Sequence, residues 1–195
     1  NSDEIKDYFY KSNRVDIDRE TSFEDILFSN IYPKEELYNR FYSQISKIYP
    51  ITDNLEETDA ILKHLFNSDN TQVYTAMRKL MKDSKLFNQH NSYVLIKLLS
   101  EEGIIGTQAL NSLKNLVEER YDLLMPQFIN ALVIQLDSSS DILVDRSISL
   151  LHCLFNRNPR FISGKIEKKL KIIASGRKIE KKELGNLIEK KGNLK

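Results

Sequence analysis

The chain has 195 residues, 41% of them hydrophobic and 29% charged, the proportions of a soluble globular protein. Its apolar runs are short and interrupted by polar residues, which excludes a transmembrane span. The acidic opening "NSDEIKDYFYK" has no apolar core and excludes a secretory signal. The missing initiator Met points to a piece of a longer protein, and the single cysteine, Cys153, excludes an internal disulfide. A reducing compartment, cytoplasm or nucleus, is the expectation.

Net charge is +1 but unevenly placed. Residues 1–60 hold 7 Lys/Arg and 14 Asp/Glu, residues 61–155 hold 9 and 10, and residues 156–195 hold 13 and 4. An acidic start, a near-neutral body and a basic end suggest polar partners at both ends, or ends that attract each other or face solvent.

Residues 1–53 form an acidic, partly helical arm in which aromatics mix with acids. Phe23, Ile26 and Leu27 fit one short helix started by Thr21 or Ser22. Glu24 and Asp25 then stand in its first turn, at the positive end of the helix dipole. Pro33 permits a new helix over 34–49, with Leu37, Phe41, Ile45 and Ile48 on one face, and Pro50 ends it. The arm either caps the exposed apolar end of the helices that follow or docks into a groove of another chain. The cap is preferred, because a stack of helices needs its terminal face covered.

Residues 54–195 read as helix after helix. With few Gly and Pro and little strand-length alternation, the spacing predicts helices over 55–66, 71–82, 92–100, 107–119, 123–136, 141–155, 160–174 and 178–190. Val73, Met77, Leu80 and Met81 make one stripe at three- and four-residue spacing, and Leu110, Leu113, Leu116 and Val117 another. Ser68, Asp69, Asn70 and Thr71 offer N-cap oxygens, as do Ser140 and Asp141. Gly103 and Gly106 suit the left-handed backbone that ends a helix, and Pro159 suits a helix start.

The helices also repeat. Met77, Leu113 and Ile148 stand near the centre of each second helix, and Leu62, Leu98 and Leu132 on each first helix. Their steps lie near 35 residues. Paired helices at that period predict an all-α, HEAT/armadillo-like superhelix of three to four helix pairs with an N-terminal helical arm. The alternative is a plain helical bundle whose helix lengths happen to agree.

Catalytic chemistry finds no support. His64, His90 and His152 fall on different elements, at no metal-ligand spacing. Cys153 sits among Leu150, Leu151 and Leu154 and reads as a packed thiol. No phosphate-binding glycine loop is present. Glu101-Glu102 and Glu118-Glu119 read as solvated acids. The chain is therefore read as a non-enzyme with no cofactor and no metal. Nucleic-acid binding through the basic end is weaker than protein binding. The lysines there interleave with Ile166, Leu170 and Ile173, and few aromatics are present to stack on bases.

The stretch "LLMPQFINALVIQLDSSSDILVDRSISLLHCLF" follows the plan of a HEAT repeat. It has a first helix containing Pro126, an Asp137 turn, and a second helix beginning near Val144 with Arg146 soon after. Together with "TDAILKHLFNSDNTQVYTAMRKLMKD" it resembles the C-terminal domain of the CLASP family, microtubule-binding proteins related to the TOG-domain polymerases, over about residues 58–175. The turn before Val144 is longer than in that family, and Asp145 replaces a basic residue. No Trp is present, and the turns "NSDN", "SEEGIIG" and "DSSSD" are acidic or neutral, which disfavours gripping acidic tubulin.

The resemblance implies self-association as a homodimer and recruitment to spindle, kinetochore or other microtubule-associated proteins, in the cytoplasm or cytoskeleton. A HEAT-type adaptor of a trafficking or chromatin complex, contacting nucleic acid at its basic end, is the alternative. The expected contact residues are Phe23, Ile26, Leu27 and Phe28 of the arm, Asn67, Asp69, Asp137 and Asp141 of the turns, and Lys165, Lys168, Lys169 and Lys171 of the basic face.

Overall fold

The computed structural model describes residues 22–176. All regular structure among them is helical. Two short-range elements come first, α1 (Phe23–Phe28) and α2 (Lys34–Ile48). The Ser22 hydroxyl accepts the Asp25 amide at 3.1 Å and so starts α1. In α2, Leu37, Phe41 and Ile45 turn inward, whereas Ile48, expected on the same face, stays exposed.

Three helix pairs follow: α3 (Leu55–Leu65) with α4 (Asn70–Lys82), α5 (Gln89–Leu98) with α6 (Gly103–Glu119), and α7 (Pro126–Ile134) with α8 (Asp141–Arg157). The partners of each pair pack together. First helices stack on first helices, α3 on α5 and α5 on α7, while α4 stacks on α6 and α6 on α8. The result is a two-layer all-α stack, the arrangement of a helical-repeat superhelix. The residues that carry the period, Leu62, Leu98, Leu132, Met77, Leu113 and Ile148, are all buried in one continuous core. A last helix, α9 (Gly164–Gly176), adds Ile166, Leu170 and Ile173 to that core.

Each second helix ends in a single 3-10 turn before the next first helix: Ser84–Leu86, Tyr121–Leu123 and Pro159–Phe161. Two of these turns are capped by side chains. Asp83 accepts from the Lys85 amide at 3.1 Å, and Asn158 accepts from the Arg160 amide at 3.0 Å. Pro159 therefore opens a 3-10 turn rather than α9. Pro126, expected inside a first helix, instead takes the first position of α7, where its missing N–H costs nothing. A further 3-10 turn, Gln135–Asp137, finishes α7.

Two starts differ from expectation. α5 begins at Gln89 because Asn88 and Asn91 form a reciprocal capping box. α6 begins at Gly103, whose φ is +63°, and runs straight through Gly106. The helix expected over 178–190 lies outside the described residues.

The arm rests on the first-helix layer. Both α1 and α2 pack on α5, the first helix of the middle pair. Phe23 anchors the junction, with edge-on ring contacts to Phe41 at 6.0 Å, Tyr49 at 6.3 Å and Tyr93 at 4.8 Å. Tyr38 and Phe41 of α2 also meet Phe66 at the end of α3. The Tyr38 hydroxyl donates to Asp59, which Lys63 also holds at 2.7 Å.

Candidate partner-binding surfaces

The pairing of helices gives the stack two edges. One carries the turns within pairs, and the arm's loop joins it. Lys34 Nζ donates to the Asn67 carbonyl at 3.2 Å, and Lys97 Nζ donates to Asn30 Oδ1 at 3.3 Å. Arg146, from the first half of α8, reaches back to the turn of the preceding pair. Its guanidinium donates to the carbonyls of Leu99 at 2.7 Å, Glu101 at 2.5 Å and Gly103 at 3.5 Å. The Leu99 and Glu101 carbonyls follow the last residue of α5 and the Gly103 carbonyl belongs to the first residue of α6, so the cation ties the two helices together across their turn. Burial pulls the guanidinium pKa down from its usual range.

Gly106 makes the room. A Cβ there would stand 1.9 Å from Arg146 Nη1 and 2.1 Å from the Glu101 carbonyl oxygen. Arg120 does the matching work on the opposite edge. It donates to the Phe87 carbonyl at 3.0 Å and holds Asp122 through two bonds of 2.9 and 2.7 Å.

The expected contact residues divide sharply. Phe23, Ile26 and Leu27 are no more than 5% exposed, so these arm side chains belong to the core and not to a free surface. The reason is their three- and four-residue spacing, which turns all of them toward α2 and α5 on so short a helix. Phe28 remains half-buried.

The turn residues hold their own turns. Asp69 accepts the Thr71 amide at 2.8 Å as the cap of α4. Asn67 accepts the Asp69 amide at 2.8 Å and donates to Gln72 at 3.0 Å. Asp137 pairs with Lys169 at 2.5 Å and joins α9 to the third turn. Asp141 is exposed in the first turn of α8. On α9, Lys171 is held by Glu167 at 2.9 Å, while Lys165 and Lys168 are exposed. Two of the four lysines are thus tied to acids of the same chain.

The turns also present apolar side chains. Ile104 and Ile142 occupy the same position, the second residue of α6 and of α8, and are 65% and 49% exposed. Ile31, in the loop whose Asn30 touches α5, is 76% exposed. Sequence periodicity missed these residues because Ile104 and Ile142 stand outside the stripes of their helices and Ile31 lies in a loop.

Two concave features complete the surface. A cleft of about 400 Å³ lies between the 49–54 segment and the start of α5, lined by Tyr49, Asn54, Asn88, Gln89, His90 and Arg120, among others. There Gln89 Nε2 donates to the Leu123 carbonyl at 3.2 Å, while its Oε1 is buried without a partner. Ser46 Oγ lies 3.1 Å from His90 Nε2, and burial lowers the His90 pKa to about 4. An open groove of about 900 Å³ runs between α4 and α6, lined by Tyr74, Thr75, Arg78, Lys79, Met81, Lys82 and Gln108.

Among the described residues, no group of three or more His, Cys, Asp or Glu side chains is placed to hold a metal ion. No described helix is long and apolar enough to cross a membrane. Cys153 is half-buried, and burial pushes its thiol pKa up, away from the reactive thiolate.

The fold defines a class, the all-α stack of helix pairs. Comparison of the chain with family models, with curated proteins and with solved structures finds no match.

Proposed function

We propose that this chain is a non-catalytic protein-interaction domain that self-associates and recruits other proteins, within a microtubule regulator of the CLASP type. The observation that carries the reading is the edge formed by the turns within pairs. Arg146 and Gly106 lock that edge between successive pairs, and Ile104, Ile142 and Ile31 stand exposed along it. Exposed isoleucines at equivalent positions of successive pairs form a patch that a second copy can match, as a two-fold interface requires.

The CLASP-type assignment is supported by the HEAT-like plan of residues 123–155, by Arg146 in its expected place and by the 35-residue period. The acids of the turns argue for protein partners other than bare tubulin. Nucleic-acid contact at the basic end is the weaker reading, since Lys169 and Lys171 are held by Asp137 and Glu167.

The test is the mass of the whole chain by light scattering at tens of micromolar. Self-association gives a concentration-dependent rise from 22.8 kDa toward twice that value. A mass fixed at the monomer throughout contradicts the reading.

A further inference from the structure

We propose that the groove between α4 and α6 binds a short extended peptide carrying one apolar side chain followed by two carboxylates at alternate positions. On α4, Val73, Ala76, Met77 and Leu80 face the core. Tyr74, Arg78 and Lys82 therefore form a second row, one turn apart, on the side that faces the groove. Tyr74 is half-buried, and Arg78 and Lys82 are exposed. Met81 stands beside Lys82 at the far end of the row from Tyr74, and Gln108 of α6 donates to the Met81 sulfur across the groove.

Charge defines the ligand. Arg78, Lys79 and Lys82 line the groove, and no carboxylate does. Lys79 is neutralised by Glu57 at 2.6 Å. Arg78 and Lys82 form no ion pair or hydrogen bond with the described residues, so two cations one turn apart stand ready for acidic side chains. Exposed cations with no partner among the described residues, beside a tyrosine ring and a methionine, favour a ligand with both acidic and apolar groups.

Geometry sets its form. Four residues of helix advance about 6 Å, and two residues of extended chain advance about 6.6 Å. Alternate side chains of an extended peptide thus step along Tyr74, Arg78 and Lys82 in register. On the opposite wall the Gln108 amide nitrogen is taken by Met81, and its Oε1 can accept from the peptide's main chain. Nucleic acid fits less well: two free cations neutralise too few phosphates for useful affinity. The inference builds on the reading of the chain as a protein-binding domain. It uses the second-helix face, away from the isoleucines of the turn edge.

The experiment is fluorescence anisotropy with the whole chain. The probe is a fluorescein-labelled peptide of one leucine and two glutamates at alternate positions, flanked by glycines. Controls are its glutamine counterpart and a labelled oligothymidylate. Binding of the glutamate peptide is expected to be at least about tenfold tighter than binding of the glutamine peptide, and to weaken with salt. Arg78→Glu and Lys82→Glu should each weaken it about tenfold or more, with helical content and self-associated mass unchanged. Both residues are exposed, so their charge reversal leaves the core untouched, and Tyr74→Ala provides a charge-neutral check on the apolar end. Equal binding of the two peptides, indifference to both charge reversals, or tighter binding of the oligothymidylate would each overturn the proposal. Loss of self-association with peptide binding intact would sink the turn-edge reading alone.

Discussion

Gly106 and Arg146 act as one unit. The glycine leaves space that the guanidinium fills, and the guanidinium closes the carbonyls at the end of α5. Arg146→Ala removes that donor and should cost roughly 1–3 kcal/mol of stability. Gly106→Ala should cost about 2 kcal/mol or more, because the new methyl meets both the guanidinium and a backbone oxygen. In an Arg146→Ala background the glycine substitution should cost less, yet not nothing, since the Glu101 carbonyl remains in the way. Urea melts of the two single variants and the double variant check this, and strict additivity would contradict the shared space.

His90 gives the second test at this scale. It is 1% exposed, and its pKa falls from 6.5 to about 4 through burial. The unfolded chain binds the proton first as pH drops. The contribution of neutral His90 is therefore complete above pH 6.5 and lost as pH falls toward 4, by up to roughly 3 kcal/mol. His90→Gln should flatten the fall in stability between neutral pH and about pH 4.5. An unchanged slope in urea melts would refute it.

Among the elements, the arm is the one with the clearest energetic claim. Phe23 joins α1, α2 and α5 through three edge-on ring contacts, so Phe23→Ala should cost about 3–5 kcal/mol. A thermal melt reads the loss, and an unmoved midpoint would mean that the arm does not belong to the folding unit. The helices themselves were largely legible from the sequence. Three- and four-residue spacing placed Val73, Met77 and Leu80 on the inner face of α4, although Met81, expected in the same stripe, is exposed, and of the four cap candidates Asp69 is the one that caps.

Where boundaries slipped, the cause was local chemistry of an unexpected kind. The capping box of α5 uses two asparagines, Asn88 and Asn91, where a serine or threonine with a glutamate is the readable signal. Gly106 looked like a helix stop because its reason for being glycine is a side chain from α8, 40 positions on. The candidate site was less legible than the fold. Phe23, Ile26 and Leu27 read as part of a cap, the preferred reading, and also as a docking strip, and only the presence of α5 beneath them decides. Sequence spacing did not single out the row Tyr74, Arg78 and Lys82, because the groove beside it needs α6 to exist.

For the whole molecule, the 35-residue period turned into a two-layer stack, and the stack turns each pair's edge into a surface. The break "DSSSD" now has a place in it. Asp137 holds Lys169 of α9, and Ser140 caps α8 through the Leu143 amide at 3.4 Å. Asp137 serves the stack, and Ile104 and Ile142 are the apolar side chains that the edge offers to a partner. The turn edge as a self-association surface is the central claim, and sedimentation equilibrium of the whole chain beside an Ile104→Asp, Ile142→Asp double variant tests it most directly. Both positions are exposed in first helical turns, where an aspartate also suits the helix dipole, so the variant should keep its fold. The expected result is a concentration-dependent dimer for the natural sequence and a monomer for the variant at the same concentrations. A variant that associates as strongly as the natural chain would contradict the claim.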